Sequence, residues 1–129
     1  MPKDKLKYPK INKFKMAENK FYWDYSTLSD ILSIHKNAVK TKESAELGDF
    51  TIDFDNSDNV VGIAIENASK FFEQMDVSKE DLENIKNASI RVDTRNPKLA
   101  LVWTFIKFPN KEEAIPVPTP IIRKRPLTV

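Results

Sequence analysis

The sequence predicts an α+β fold in which a mostly antiparallel β-sheet, built from hairpins, carries one or two short helices packed on one face. Residues 49–54 alternate apolar and polar side chains, and residues 61–66 do the same beyond the turn-forming residues 55–59, as in a β-hairpin. From Ala68 the apolar residues fall three and four positions apart. This change of period predicts a helix over about residues 68–75.

Two further strands are predicted ahead of this hairpin. Residues 21–25 place three aromatic side chains on one face, a composition that is typical of a half-buried strand. Residues 31–36 return as a second strand, with Leu32 and Ile34 on one face. Residues 37–48 are charged and weakly patterned, and we predict a loop that leads into the central hairpin.

A second helix and two more strands follow. Ser78 is a suitable N-cap and Asp81 stands three residues later, as in a capping box, so a helix is expected over about residues 79–86. Strands are then predicted over residues 89–94 and 98–108. The second of these is apolar on both faces, which predicts a central position in its sheet or a position at an interface.

The last predicted strand has a proline at every second position: Pro116, Pro118 and Pro120. Alternate residues of a strand direct their amides to the same side, so these prolines remove hydrogen-bond donors from one edge only. The apolar residues among them favour an edge strand over residues 115–121, paired antiparallel with residues 98–108. The alternative is a polyproline-II ligand for another protein.

Length and composition are typical of one folded domain, with 129 residues of which 40% are hydrophobic. The predicted organisation is a basic arm at residues 1–20, a single α+β domain at residues 21–122 and a basic tail at residues 123–129. The chain has no cysteine, which excludes disulfides and thiolate ligands and is typical of a reducing compartment. No apolar run approaches the ~20 residues that span a bilayer, and the lysine-rich start is unlike a signal peptide, so we expect a cytoplasmic protein.

Positive charge is concentrated at the two ends of the chain. The candidate polyanion contacts there are Lys3, Lys5, Lys7, Lys10, Lys13, Lys15, Arg123, Lys124 and Arg125. Basic ends could bind a nucleic acid or another polyanion. Because these cations form no recognised nucleic-acid motif, the favoured alternative is that they fold back on the acidic middle of the chain.

The residues that could support chemistry form no complete site. His35 is the one histidine, and it would pair poorly with Ser33 because both leave the same strand on the same side. The acidic turn that begins at Asp53 and Asp55 resembles the start of a calcium loop, but the required glycine and distal glutamate are absent. We therefore predict no catalytic residue, no metal and no cofactor.

Four segments follow one another in a specific order: Tyr22-Trp23-Asp24-Tyr25, Asp30-Ile31-Leu32-Ser33-Ile34, Phe50-Thr51-Ile52-Asp53-Phe54-Asp55, and residues 61–69 with their Gly-Ile-x-Ile-x-x-Ala-Ser ending. In this order they resemble a small prokaryotic family, domain of unknown function 2283. The resemblance covers about residues 20–72, and Ser33 departs from it because an aromatic residue is common there. It implies a small α+β fold with no established activity, and it supplies no catalytic residues.

The expected function is that of a non-enzymatic interaction module, which forms a homodimer or binds another protein. The aromatic residues that could be exposed motivate this hypothesis: Tyr22, Trp23, Trp103 and Phe108. One alternative is nucleic-acid or polyanion binding through the basic ends. The other is a carboxylate-based hydrolase, which requires the strands of Asp24 and Asp53 to be neighbours so that Asp24, Asp49 and Asp53 share one face.

Overall fold

The structure is a computed structural model that describes residues 20–96 and 98–122. Eight strands and two short helices lie within these residues. They are β1 (Phe21–Ser26), β2 (Ile31–Lys36), β3 (Glu43–Leu47), β4 (Phe50–Phe54), β5 (Val60–Glu66), α1 (Ala68–Glu73), α2 (Lys79–Glu83), β6 (Asn87–Asp93), β7 (Leu99–Lys107) and β8 (Ile115–Ile122).

The strands form two antiparallel sheets. The larger sheet has the strand order β1-β2-β5-β4-β3, and the smaller sheet has the order β6-β7-β8. This arrangement confirms the predicted α+β class and its hairpins, with the strands divided between two sheets. The basic ends at residues 1–19 and 123–129 lie outside the described residues.

One hydrophobic core is built from both sheets and both helices. The five-stranded sheet contributes the alternate residues that the hairpin pattern assigned to one face, among them Leu32, Ile52 and Ile63. The three-stranded sheet contributes Val102 and Ile106. The strand periodicity therefore identified the buried face of the five-stranded sheet correctly. For β7, which is apolar on both faces, the predicted central position in its sheet is confirmed, and the face of Val102 and Ile106 is the buried one.

Both helices are shorter than their predicted ranges. α1 ends at Glu73, and the chain leaves it through Asp76, which has a left-handed backbone conformation with φ 58°. The predicted capping box of α2 is confirmed by Ser78 and Asp81, but the helix ends at Glu83 because Lys86 donates its amide to Lys107 O in the neighbouring sheet. Within the described residues no helix is long and apolar enough to span a bilayer.

The prediction of a loop over residues 37–48 was wrong, because residues 43–47 form the edge strand β3. All five residues of β3 are exposed, so neither face carries the apolar alternation by which a strand is recognised. The strand is held by β4 through a tight connection at Gly48, whose φ of 60° suits the first position of a type II′ hairpin turn.

The proline-rich segment is the edge strand that the sequence predicted. β8 pairs antiparallel with β7 and lies at the end of the three-stranded sheet. Val117 and Thr119 are buried, whereas Pro116, Pro118 and Pro120 are exposed. The free polyproline ligand is therefore excluded as the structure of this segment.

Candidate functional site

An apolar surface covers the outer face of the three-stranded sheet. β7 alternates buried residues with half-exposed ones, and the half-exposed set continues onto the prolines of β8. We call this surface the Trp103 face; its members are Arg91, Leu101, Trp103, Phe105, Pro116, Pro118 and Pro120. Register places Trp103 between Arg91 of β6 and Pro118 of β8, so the surface spans all three strands.

Aromatic and cationic groups are ordered at the centre of the Trp103 face. The rings of Trp103 and Phe105 stack with a centroid separation of 6.2 Å and an interplanar angle of 19°. The guanidinium carbon of Arg91 lies 5.4 Å from the centroid of Phe105, within the range of a cation–π contact. The face therefore presents two aromatic rings beside a positive charge.

The other predicted aromatic residues do not join this surface. Tyr22 is 53% exposed but lies on the five-stranded sheet, and Trp23 packs against the core. The expectation for Phe108 was wrong, because its side chain is 0% exposed. Phe108 follows β7 at a position that continues its alternate buried residues. Its ring packs edge to face against that of Phe72, with the two ring centroids 5.7 Å apart.

A row of polar side chains crosses the outer face of the five-stranded sheet. Strand register aligns Tyr22, His35, Gly62, Asp53 and Ser44 on neighbouring strands. Ser44 donates its hydroxyl to Asp53 at 2.6 Å. A Cβ at Gly62 would lie 2.5 Å from Cδ2 of His35 and 3.0 Å from Oδ2 of Asp53, so only glycine admits both side chains here.

His35 makes a contact that the sequence analysis missed. Its Nδ1 lies 2.9 Å from the backbone oxygen of Lys36, and its Nε2 lies 2.8 Å from the hydroxyl of Thr41. Because a carbonyl only accepts, Nδ1 donates to the oxygen of Lys36, and Nε2 shares a hydrogen bond with the Thr41 hydroxyl. Spacing could not reveal this pair, since Thr41 lies in the irregular segment between β2 and β3.

The three carboxylates of the hydrolase alternative are not brought together. Two strands, β2 and β5, separate Asp24 on β1 from Asp53 on β4, so the required adjacency of those strands is absent. Asp49 lies in the hairpin turn, where its side chain accepts a hydrogen bond of 3.4 Å from Asn67. Across the described residues no group of three or more metal-ligating side chains is found.

The turn that resembled a calcium loop is held by its own aspartate. Asp55 Oδ1 accepts hydrogen bonds from the amides of Ser57 at 2.8 Å and Asn59 at 3.0 Å. These hydrogen bonds from the backbone amides lower the pKa of Asp55. Asp55 therefore closes the hairpin between β4 and β5.

Asp30 links the β1–β2 turn to the start of α1. Its carboxylate accepts hydrogen bonds from the Tyr25 hydroxyl at 2.6 Å, the Ser69 amide at 3.0 Å and the Ser69 hydroxyl at 2.8 Å. Burial opposes ionisation of Asp30, but these bonds, with the charge of Lys79, outweigh burial and lower its pKa. Burial, the hydrogen bond to Asp30 and nearby negative charge raise the pKa of Tyr25 to about 12.

This network gives a structural role to residues that carry the family resemblance, among them Asp30 and Ser69. Asn67 precedes α1 in a left-handed conformation with φ 53° and makes no side-chain cap. Asp30 supplies the missing acceptors, because its backbone oxygen binds the Ala68 amide at 3.0 Å and its side chain binds Ser69. The Ala-Ser ending and the aspartate before β2 therefore form one capping unit.

The predicted polyanion contacts lie outside the described residues, so their hypothesis stays a prediction. The candidate residues concerned are Lys3, Lys5, Lys7, Lys10, Lys13, Lys15, Arg123, Lys124 and Arg125.

Comparison with known proteins agrees with the recognised pattern. Uncharacterized protein MJ0789 of Methanocaldococcus jannaschii is 46% identical over 59 residues, which make up 46% of this chain and 48% of that protein. The chain thus spans about half the length of this relative. No solved structure matches the chain. Residues 23–69, from β1 into α1, match the family described as protein of unknown function DUF2283, which confirms the resemblance for that part of the chain.

Proposed function

We propose that this protein is a non-enzymatic interaction module and that the Trp103 face is its contact surface for another protein. The observation that supports the proposal is the ordered, partly exposed pair Trp103 and Phe105 on a sheet face bordered by prolines. Tryptophan and arginine are enriched among the residues that dominate binding energy at protein interfaces. The cysteine-free composition supports a cytoplasmic location for this activity.

Rigidity of the face favours binding. Prolines fix their own backbone φ, and Trp103 and Phe105 already restrict each other by stacking. Little side-chain freedom is then lost when a partner docks, which lowers the entropic cost of association. The prolines also remove amide donors from the β8 edge, so contact through the face is favoured over addition of a strand there.

The chemistry of the face indicates the kind of partner. Its centre is apolar, and Arg91 is an exposed cation beside Phe105. A protein surface with an apolar patch and a neighbouring carboxylate would satisfy both features, since the carboxylate could accept a bidentate hydrogen bond from the guanidinium. We therefore expect a partner with an acidic rim around an apolar centre.

Affinity capture with matched variants tests the contact surface. The Trp103→Ser/Phe105→Ser double variant should lose a partner that the unaltered protein captures from cells that produce it naturally. Tyr22→Ser is the control, because it removes an exposed aromatic side chain from the other sheet and should retain that partner. Equal capture by the double variant and the control would contradict the proposal, as would capture of no partner by the unaltered protein.

Single-stranded nucleic acid is a second candidate ligand for the Trp103 face. Stacked aromatic rings beside an arginine are the combination on which unpaired bases are bound, and the basic residues 123–125 follow β8 directly. Tryptophan fluorescence titrated with a single-stranded oligonucleotide at low and high salt distinguishes this candidate. Nucleic-acid binding at this face predicts that single-stranded DNA quenches the fluorescence, that the binding weakens steeply with salt, and that its salt dependence flattens after removal of residues 123–129. Absence of binding at low salt rejects it.

A further inference from the structure

The two sheets have four edge strands, β1, β3, β6 and β8, which differ in how far they are protected from pairing with another strand. β1 and β6 contact each other across the two sheets, and α2 also contacts β1. The β8 edge is blocked by its three prolines. β3 has no proline and is exposed at every position, and it carries Leu47 with 49% of its surface exposed. The unprotected edge is therefore β3.

Hydrogen-bond phase shows which groups of β3 are free to pair. The amide of Glu66 on β5 donates to the backbone oxygen of Asp49 at 2.8 Å. Because backbone groups alternate in direction along a strand, the N–H and C=O groups of residues 49, 51 and 53 point towards β5. The backbone groups of residues 50 and 52 consequently point towards β3, and those of their partners Leu47 and Ala45 point towards β4. The backbone groups of Ser44 and Glu46 then point away from the sheet.

The charged residues in and before β3 are ordered so that two antiparallel copies of the segment can place opposite charges together. Lys40 and Lys42 precede the strand, and Glu43 and Glu46 lie within it. The amide of Lys42 already donates to the backbone oxygen of Phe54 at 2.7 Å, so Lys42 does not donate it to a second copy. An antiparallel copy centred on Ser44 pairs the outward backbone groups of the two Ser44 residues and brings the side chain of Glu46 beside that of Lys42 of the second copy, and the two-fold axis repeats this contact. Opposite charges directly across two strands stabilise pairing, whereas a register centred on Glu46 would place like charges together.

We propose that two copies of this chain associate through antiparallel pairing of their β3 strands, centred on Ser44. Each five-stranded sheet then continues into that of the second copy, and the interface uses the same surface on both copies. This inference is independent of the proposed function, because the Trp103 face lies on the other sheet. Such a dimer would present two Trp103 faces and bind a multivalent partner with increased avidity.

Charge reversal tests the proposed register. Glu46→Lys places lysines opposite each other, and Lys42→Glu places glutamates opposite each other, so each variant should weaken dimerisation by about tenfold or more. Mixing the two variants restores an opposite-charge pair at both positions and should restore a heterodimer. Light scattering after size exclusion, over a series of concentrations, measures these changes. Glu73→Lys on α1 is the control and should dimerise as the unaltered chain does.

Removal of one outward donor tests the edge itself. Ser44→Pro deletes an amide that faces away from β4, and it should abolish the dimer while the monomer stays folded by circular dichroism. Ser44→Ala loses the hydroxyl contact with Asp53 but keeps the amide, so it should remain dimeric.

A monomeric unaltered chain overturns the proposal, as does a dimer that Ser44→Pro and Glu46→Lys leave intact. A dimer that dissociates only in Trp103→Ser/Phe105→Ser also overturns it, and would assign self-association to the Trp103 face. Loss of partner capture with retention of the β3 dimer would count against the proposed function alone.

Discussion

In the five-stranded sheet, Asp30 accepts three side-chain and backbone hydrogen bonds and Asp53 accepts one from Ser44. In the three-stranded sheet, the hydroxyl groups of Thr104 and Thr119 are buried and have no hydrogen-bond partner among the described residues. The first sheet thus uses polar side chains to fix its own turns and helix. The second has aromatic side chains on a partly exposed face and is the better candidate for contacts with other molecules.

Replacing the aspartate at the centre of the first network should have the largest effect on stability. Asp30→Ala leaves the Ser69 amide and the Tyr25 hydroxyl without their acceptor, and we expect a loss of about 3 kcal/mol. Asp24→Ala is the control on an exposed position of β1 and should change stability by less than about 0.5 kcal/mol. Urea unfolding measures both. Equal effects would show that the Asp30 network adds no special stability.

Gly62→Ala should destabilise the five-stranded sheet by about 2 kcal/mol. The new Cβ would displace the His35 ring, which lies 2.5 Å from its position, and would break the contact with Thr41. A double variant that also carries His35→Ala removes the tighter of the two contacts and leaves the 3.0 Å contact with Asp53 Oδ2, so Gly62→Ala should cost much less stability in the His35→Ala background than in the unaltered protein. Thermal unfolding of the four proteins in this cycle checks the coupling. Additive losses would contradict the steric explanation.

Tyr25→Phe should lower stability by about 1 kcal/mol at neutral pH, because Asp30 loses one hydrogen bond. Folding raises the pKa of Tyr25 from 10.0 to about 12, so its contribution is present below pH 10 and is lost as the pH rises towards 12. The lowered pKa of Asp30 contributes stability above its ordinary value of 3.8, and this is lost as the pH falls below it. Unfolding measured across pH should show smaller alkaline and acid losses in the variant, and unchanged profiles would refute this linkage.

Thr104→Val should stabilise the protein by about 1 kcal/mol. Valine has nearly the same shape and removes a buried hydroxyl group that has no partner among the described residues. Thr51→Val changes a half-exposed threonine on the five-stranded sheet and should have little effect. If denaturant unfolding shows Thr104→Val to be destabilising, the hydroxyl has a bound partner such as water, and the contrast between the two sheets is smaller than we infer.

Replacing the three prolines of β8 with threonine should have the smallest effect on monomer stability, since threonine favours strands. It restores three amide donors to the outer edge of the three-stranded sheet. We therefore expect new, concentration-dependent association, detected by sedimentation velocity. The buried pairing with β7 should persist, with slow amide exchange at Val117 and Thr119. An unchanged association state would contradict the protective role of the prolines.

Much of the fold could be predicted from alternation of apolar and polar residues. Together with the two-faced apolar run of β7 and the alternate prolines of β8, this pattern predicted seven of the eight described strands, because each of them has one face in the core. It failed for β3, whose residues are exposed on both faces. It also could not divide the strands between two sheets, because periodicity identifies a buried face but not the strands beside it.

The candidate surface was only partly predictable. The apolar outer residues of β7 indicated an interface, and Trp103 is indeed on a partly exposed face. The Asp30 network and the contact between His35 and Thr41 were missed, because each depends on backbone turns that bring together residues without a common spacing. Sequence alone does not show which residue of a loop or turn will contact a residue on a strand or helix.

The Asp30 cap also sets an order of events in folding. α1 has six residues, too few to persist as an isolated helix, and its capping acceptor lies 39 positions earlier than Ser69. The helix therefore gains its stability only after β1 and β2 have formed their turn and docked beside β5. Forming so distant a contact requires closure of a long loop, which adds an entropic cost to folding. Helical signal from α1 should consequently appear in the same kinetic phase as burial of Tyr25.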